Sequence, residues 1–122
     1  MKKLFMMIGL LVAFGGEMVA SEHINSAREY NELTKDGNVI IDFYASWCIP
    51  CQQLGYNIEK LNDDNVKVYK INVDENPELQ AMYSKTDAIP ALLFIKDGKV
   101  VKKELGSQTT AELEDEIAQY FY

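Results

Sequence analysis

Both cysteines of the 122-residue chain lie in one short stretch, WCIPC, at positions 48 and 51. As a structural disulfide the pair would contribute little, because stabilisation grows with the length of the loop that is closed. A structural zinc site takes four ligands, and besides this pair the chain has one histidine, His23, far away in the sequence. By elimination, the sequence favours a chemical role for Cys48 and Cys51.

The position of the pair indicates what that role is. Cys48 falls just ahead of a predicted helix, where unpaired N–H groups and the positive end of the helix dipole favour a thiolate. Cys51 lies one turn further on, from where its S–H can donate to the sulfur of Cys48. Thiol–disulfide exchange can then run in two steps, because Cys48 forms a mixed disulfide and Cys51 displaces the reduced product. Pro50 stiffens the ring between them.

Asp42 is an acidic residue inside the apolar stretch VIIDFY. A carboxylate buried there without a partner would be costly and would have a raised pKa. We expect Asp42 to accept a proton from Cys51, with Lys70 on the neighbouring predicted strand as its charge partner. The alternative is that the strand alternates and Asp42 faces solvent, but Ile40 shares its face and the stretch is apolar on both sides.

Pro90 precedes the predicted strand ALLFI. A proline at the start of a strand can simply mark the edge of that strand. A cis Ile89-Pro90 peptide bond is the other interpretation. The sequence pattern alone does not choose between the two.

The elements that must position these residues follow from capping residues and from periodicity. Helices are predicted at four capping or first-turn positions, Ser26, Pro50, Asn76 and Thr109. Strands are predicted over NVIIDFYAS and VKVYKINV, and ALLFIKDGKVVKKEL is a hairpin that turns at Asp97-Gly98. This order of elements predicts a mixed α/β sheet with helices on both faces: helix, strand, helix, strand, helix, hairpin and helix.

Composition is that of one globular domain, with 48% hydrophobic and 25% charged residues. The formal net charge of -7 argues against a nucleic-acid groove, which needs clustered Lys and Arg on one face. We therefore expect no nucleic-acid partner.

The chain opens MKKLFMMIGLLVAFGG, in which two lysines precede an uncharged apolar run. This is the pattern of a secretory signal peptide, and the run is shorter than the roughly 20 residues that span a bilayer. We expect residues 1–20 to be cleaved off after Ala20, which leaves a domain over residues 21–122 in the periplasm or another extracytoplasmic compartment. An uncleaved segment would instead anchor the chain to a membrane.

Several stretches taken together resemble the thioredoxin family across nearly all of residues 21–122. They are WCIPC after VIIDFYAS, then KINVDENP, then DAIPALLFIKDGKVVKKELG. The features that fall in family order and spacing are Asp42, the Trp47-to-Cys51 motif, Lys70, Ile89-Pro90, Asp97-Gly98 and Gly106. The resemblance implies the thioredoxin fold, a central mixed β-sheet flanked by four α-helices. It also implies that Cys48 is the nucleophile and Cys51 the resolving thiol of a redox-active disulfide, without a bound cofactor or metal.

The resemblance further implies where substrates bind. It predicts a cis Ile89-Pro90 peptide bond beside the disulfide, and extended substrate chains that dock as a strand-like partner. The docking residues it implies are Trp47, Ile49, Pro50, Ile89 and Pro90.

The chain also departs from the family pattern at the motif itself. Ile49-Pro50 replaces the usual Gly-Pro, and Gln52 stands where a lysine is common. Tyr44 matches a common tryptophan, and Gly55-Tyr56 occupies the place of an expected helix proline. Ile49 adds an apolar group at the contact site, and Gln52 removes one positive charge that would favour the thiolate.

Three functions are compatible with these residues. The first expectation is a monomeric dithiol reductant of protein disulfides outside the cytoplasm, because no histidine lies between the cysteines as it does in strongly oxidising relatives. Such a reductant would draw electrons from a membrane thiol transporter. The second is a dithiol oxidase or isomerase of exported proteins, which an oxidising compartment favours. The third is a non-catalytic module that holds clients on the apolar rim of Trp47, Ile49 and Ile89.

Overall fold

A computed structural model describes residues 22–122, and the predicted signal peptide at 1–20 lies outside them. In chain order the elements are β1 (Glu22–His23), α1 (Ala27–Thr34), β2 (Asn38–Tyr44), α2 (Ile49–Glu59), β3 (Val66–Asn72), α3 (Pro77–Leu79), β4 (Ala91–Lys96), β5 (Lys99–Leu105) and α4 (Thr110–Phe121). The predicted order of helices and strands is confirmed, and β1 is an addition to it. No helix in the described part of the chain has the length and apolar character needed to cross a membrane.

The helices begin where the sequence predicts, but not all are capped alike. Ser26 Oγ accepts the Glu29 N–H at 3.1 Å, and Thr109 forms a reciprocal capping box with Glu112. Asn76 is also an N-cap, yet its side chain makes no capping bond and instead donates to Asn25 Oδ1 and to the carbonyl of Asn72. The sequence predicted the position of this cap correctly and its capping role wrongly.

The third helix changes its winding after one turn. Beyond α3 the backbone continues as a π-helical segment over Gln80–Ser84, closed by a bond of 2.9 Å from the Lys85 N–H to the Gln80 carbonyl. Lys85 then adopts a left-handed conformation with φ 58°, which ends the helix. The predicted single α-helix is therefore a mixed one.

The five strands form one mixed sheet in the order β1-β3-β2-β4-β5. β1 and β2 pair parallel with β3, while β4 pairs antiparallel with both β2 and β5. The hairpin between β4 and β5 turns at Asp97 and Gly98, both with positive φ. Asp97 is held from outside the hairpin, because its Oδ1 accepts the Gly37 N–H at 2.8 Å.

Both faces of the sheet are buried, as the apolar run of β2 predicts. Ile41 and Phe43 point towards a cluster that includes residues of α1 and α3, whereas Ile40 points towards α2 and α4. Successive residues of a strand face opposite sides, so the central strand serves two core layers at once. The mixed sheet flanked by four helices is confirmed.

Candidate active site

Cys48 and Cys51 form a disulfide, with their Cα atoms 5.2 Å apart. Cys48 is the N-cap of α2, and its sulfur accepts the Cys51 N–H at 3.2 Å. Pro50 lies in the first turn, where a missing N–H leaves no helical bond unmade. The predicted junction of strand and helix therefore carries the pair, with one sulfur directed at the free N–H groups of a helix.

The residues beside the disulfide are exposed. Trp47 and Ile49 keep 67% and 69% of their surface accessible, although both are large and apolar. Trp47 is tethered, because its indole Nε1 donates to Asp74 Oδ2 at 2.8 Å. Asp74 was not singled out from the sequence; the available signal was that it follows β3, which ends at the same edge of the sheet as its parallel neighbour β2.

Hydrogen bonds fix both the loop that carries Trp47 and the loop of Asp74 that contacts it. Gln52 Nε2 donates to the Ser46 carbonyl at 2.9 Å, so the residue that replaces a common lysine is engaged with the loop. On the other side, Asn72 Oδ1 accepts the N–H groups of Asp74 and Glu75 at 2.9 and 3.3 Å. Asn72, buried at the end of β3, thus fixes the loop that tethers Trp47.

The Ile89-Pro90 peptide bond is cis, as the resemblance implies. Ile89 packs against the apolar cluster that also contains Cys48 and Cys51, and the position of this turn beside the disulfide stays a prediction. Pro90 also stands directly before the first residue of β4, a strand that pairs on both sides, so it marks the start of that strand as well as forming the cis bond. Pro90 itself is buried, and its carbonyl accepts the Gly106 N–H at 2.9 Å.

Asp42 is 1% exposed, which excludes the solvent-facing alternative. Neither carboxylate oxygen has a hydrogen-bond partner among the described residues. Burial raises the pKa of Asp42 to about 7, and the positive charge of Lys70 opposes this rise. Lys70 is opposite Asp42 in the register of β2 and β3, and because the carboxylate has no hydrogen bond within the part of the chain that the structure describes, Lys70 acts on it through space.

Residues 21–119 match the family model described as Thioredoxin. The chain belongs to the thioredoxin family. Thioredoxin from Chlorobaculum thiosulfatiphilum is 46% identical over 78 residues, which are 62% of this chain and 71% of that protein. Thioredoxin from Listeria monocytogenes is 35% identical over 94 residues, 75% of this chain and 90% of the relative.

The solved structures agree with this assignment. The crystal structure of Malassezia sympodialis thioredoxin superposes with a TM-score of 0.73 at 31% identity, covering 89% of this chain and all of that one. The five-stranded mixed sheet and four helices are therefore the thioredoxin fold. Family membership and the Cys48-Cys51 pair make the protein a thiol–disulfide oxidoreductase that acts on protein disulfides.

Proposed function

We propose that this member of the thioredoxin family is a dithiol reductant of protein disulfides and works outside the cytoplasm as a monomer, with the Cys48-Cys51 disulfide as its only redox group. The observation that carries the reductant role is that the residues between the cysteines and directly after Cys51 are uncharged. Ile49 and Pro50 lie between the cysteines, and the amide of Gln52 is bound to the Ser46 carbonyl. A thiolate without a neighbouring cation stabilises the reduced form less, and a less stable reduced form gives up its electrons more readily.

The reaction has two displacements. The Cys48 thiolate attacks one sulfur of the client disulfide, forms a mixed disulfide and releases the other client sulfur as a thiolate. Cys51 then gives its proton to Asp42 and attacks the Cys48 sulfur, which frees the second client sulfur and leaves the Cys48-Cys51 disulfide. The two electrons pass from the dithiol to the client.

Asp42 suits the proton transfer because its pKa, raised to about 7, lies close to neutral pH. An ordinary aspartate would be too weak a base to take a proton from a thiol at a useful rate. Lys70 opposes the rise and so keeps a fraction of Asp42 ionised at neutral pH.

Client chains dock, in this proposal, along the exposed rim of the disulfide. Trp47 and Ile49 provide apolar contact area, and the neighbouring Pro50 is exposed as well. Ile89 is half-buried and Pro90 is buried, so this turn would contribute mainly backbone groups to an extended client.

The reductant role is tested by the reduction potential of residues 21–122, equilibrated in glutathione or dithiothreitol buffers and read by mass spectrometry of alkylated thiols. A value near roughly -270 mV, the reference for thioredoxin, supports the reductant. A value near roughly -120 mV would make the protein a disulfide-forming enzyme. A Cys48→Ser protein with full biological activity would instead favour the non-catalytic module.

The compartment is a separate part of the proposal and rests on the N-terminal sequence. Lys2 and Lys3 followed by an apolar run support export, and a reductant outside the cytoplasm needs electrons from a membrane thiol transporter. Cell fractionation and N-terminal sequencing should find a mature chain that begins at Ser21 outside the cytoplasm. A cytoplasmic protein with residues 1–20 intact would overturn this part, and a Cys48-Cys51 pair that stays reduced without the transporter would overturn the donor.

A further inference from the structure

Three side chains form a row across the sheet beneath α2. The parallel register puts His23 of β1 opposite Lys70 of β3, and Lys70 opposite Asp42 of β2. Residues opposite one another in a sheet present their side chains on the same face. The buried carboxyl is therefore one end of a polar row whose other end, His23, is exposed.

Tyr44 connects the members of this row. It lies two residues after Asp42 on β2 and so shares its face. His23 Nε2 and Tyr44 Oη are 2.6 Å apart, which is a short hydrogen bond. The Lys70 ammonium lies 4.6 Å from the centroid of the Tyr44 ring, within the range of a cation–π contact.

Helix α2 packs over the Lys70 ammonium on the face of the sheet that carries this row. A Cβ added to Gly55 would stand 3.6 Å from Lys70 Nζ. Gly55 follows Cys51 by four residues, so the two share one face of the helix. The ammonium is thus held between the ring of Tyr44 and the helical turn that begins at the resolving cysteine, and no hydrogen bond to Asp42 holds it there.

We propose that Tyr44 and His23 are positioning residues for the resolving step: they hold the Lys70 ammonium close to Asp42 and so set the pH range in which Cys51 gives up its proton. The proposal rests on the role of Asp42 proposed above. The other ionisable group that acts on Tyr44 is Glu75, in the loop after β3. Without the ring, the lysine side chain is free to extend into solvent, where its charge is screened from the buried carboxyl.

The test is a double-mutant cycle read by carbon NMR of the Asp42 carboxyl group. Lys70→Met should raise the pKa of Asp42 by about one pH unit, because the opposing charge is lost. Tyr44→Leu should raise it by about half as much and should have no further effect in the Lys70→Met background. Tyr44→Phe and His23→Ala keep the aromatic ring at position 44 and remove only the hydrogen bond between Tyr44 and His23. Each variant, and the two combined, should therefore raise the pKa of Asp42 by the same amount, which is smaller than the rise in Tyr44→Leu.

The pH dependence of resolution gives the second readout. The rate at which Cys51 displaces a client from Cys48 should shift towards higher pH in Tyr44→Leu by the same amount as the Asp42 titration. An equal effect of Tyr44→Leu with and without Lys70 would overturn the positioning role, since the ring would then act through burial alone. An Asp42→Asn protein that resolves at the unaltered rate across this pH range would instead overturn the proposed role of Asp42, whatever the cycle gives.

Discussion

At the scale of single residues, Asp42 is the most costly feature of the fold. Its carboxyl group is fully buried and has no hydrogen-bond partner among residues 22–122. Such a group destabilises the folded chain whenever it is ionised. The protein tolerates this cost at the strand that leads directly into the Cys48-Cys51 motif, which is consistent with a functional reason for keeping the acid.

The cost of Asp42 predicts how stability depends on pH. The pKa of Asp42 is about 7 in the folded chain against roughly 3.9 in the unfolded chain. Its contribution to the stability of the folded chain is therefore fully present below about pH 4 and is lost as pH rises through 7. Asp42→Asn should therefore raise the free energy of unfolding at pH 8 by up to roughly 4 kcal/mol, and by little at pH 4. Urea unfolding at both pH values measures this, and an equal change at both would contradict it.

The roles of the two cysteines predict different phenotypes for two matched variants. Cys51→Ser should accumulate a mixed disulfide between Cys48 and a client protein, because the attack that resolves it is missing. Cys48→Ser, the control, should form no such adduct and should lose exchange altogether. Non-reducing electrophoresis and mass spectrometry distinguish the two. Adducts with Cys48→Ser and none with Cys51→Ser would reverse the assigned roles.

At the scale of elements, short sequence patterns predicted the features that depend on interactions between residues close in sequence. Thr109 and Glu112 cap α4 through neighbouring atoms, so the sequence shows that cap directly. β1 has two residues, too few for any periodicity, and exists through its pairing with β3. The contact between Trp47 and Asp74 spans 27 positions and depends on two parallel strands that end at one edge. No local sequence pattern could have predicted that these two side chains are in contact.

Helix α2 carries a glycine in its interior, which predicts an easy gain in stability. At Gly55 the backbone is helical, and the nearest atom that an added Cβ would meet is Lys70 Nζ, at ordinary contact distance. Gly55→Ala should therefore raise the free energy of unfolding by about 1 kcal/mol. Gly37→Ala is the control: space there is open but φ is 80°, so it should destabilise the protein. Urea unfolding that ranks the two variants the other way would contradict this account.

At the scale of the whole molecule, one sheet joins two core layers. Leu93 and Phe94 are adjacent on β4, both fully buried, yet they belong to clusters on opposite faces. The backbone of β4 is hydrogen-bonded on both sides, so neither layer can loosen without disturbing the strands that support the other.

This arrangement predicts a single unfolding transition, whichever layer is weakened. Leu93→Ala should cost about 2–5 kcal/mol and Phe94→Ala about 3–5 kcal/mol, through lost burial and the cavity left behind. Both should unfold in one step with coincident near- and far-ultraviolet circular dichroism. Val100→Ala on β5, 48% exposed, is the control and should change stability by less than about 0.5 kcal/mol. Two separated transitions would show that the layers are independent.

The tether between Trp47 and Asp74 also makes the protein its own optical reporter. Trp47 is the only tryptophan of the chain, and it stands next to Cys48 with its indole held in one orientation. Disulfides quench a neighbouring indole, so emission should rise when the pair is reduced, and the turnover of the native chain can be followed without a dye. Asp74→Ala would release the ring and blunt that signal while leaving both sulfur atoms in place.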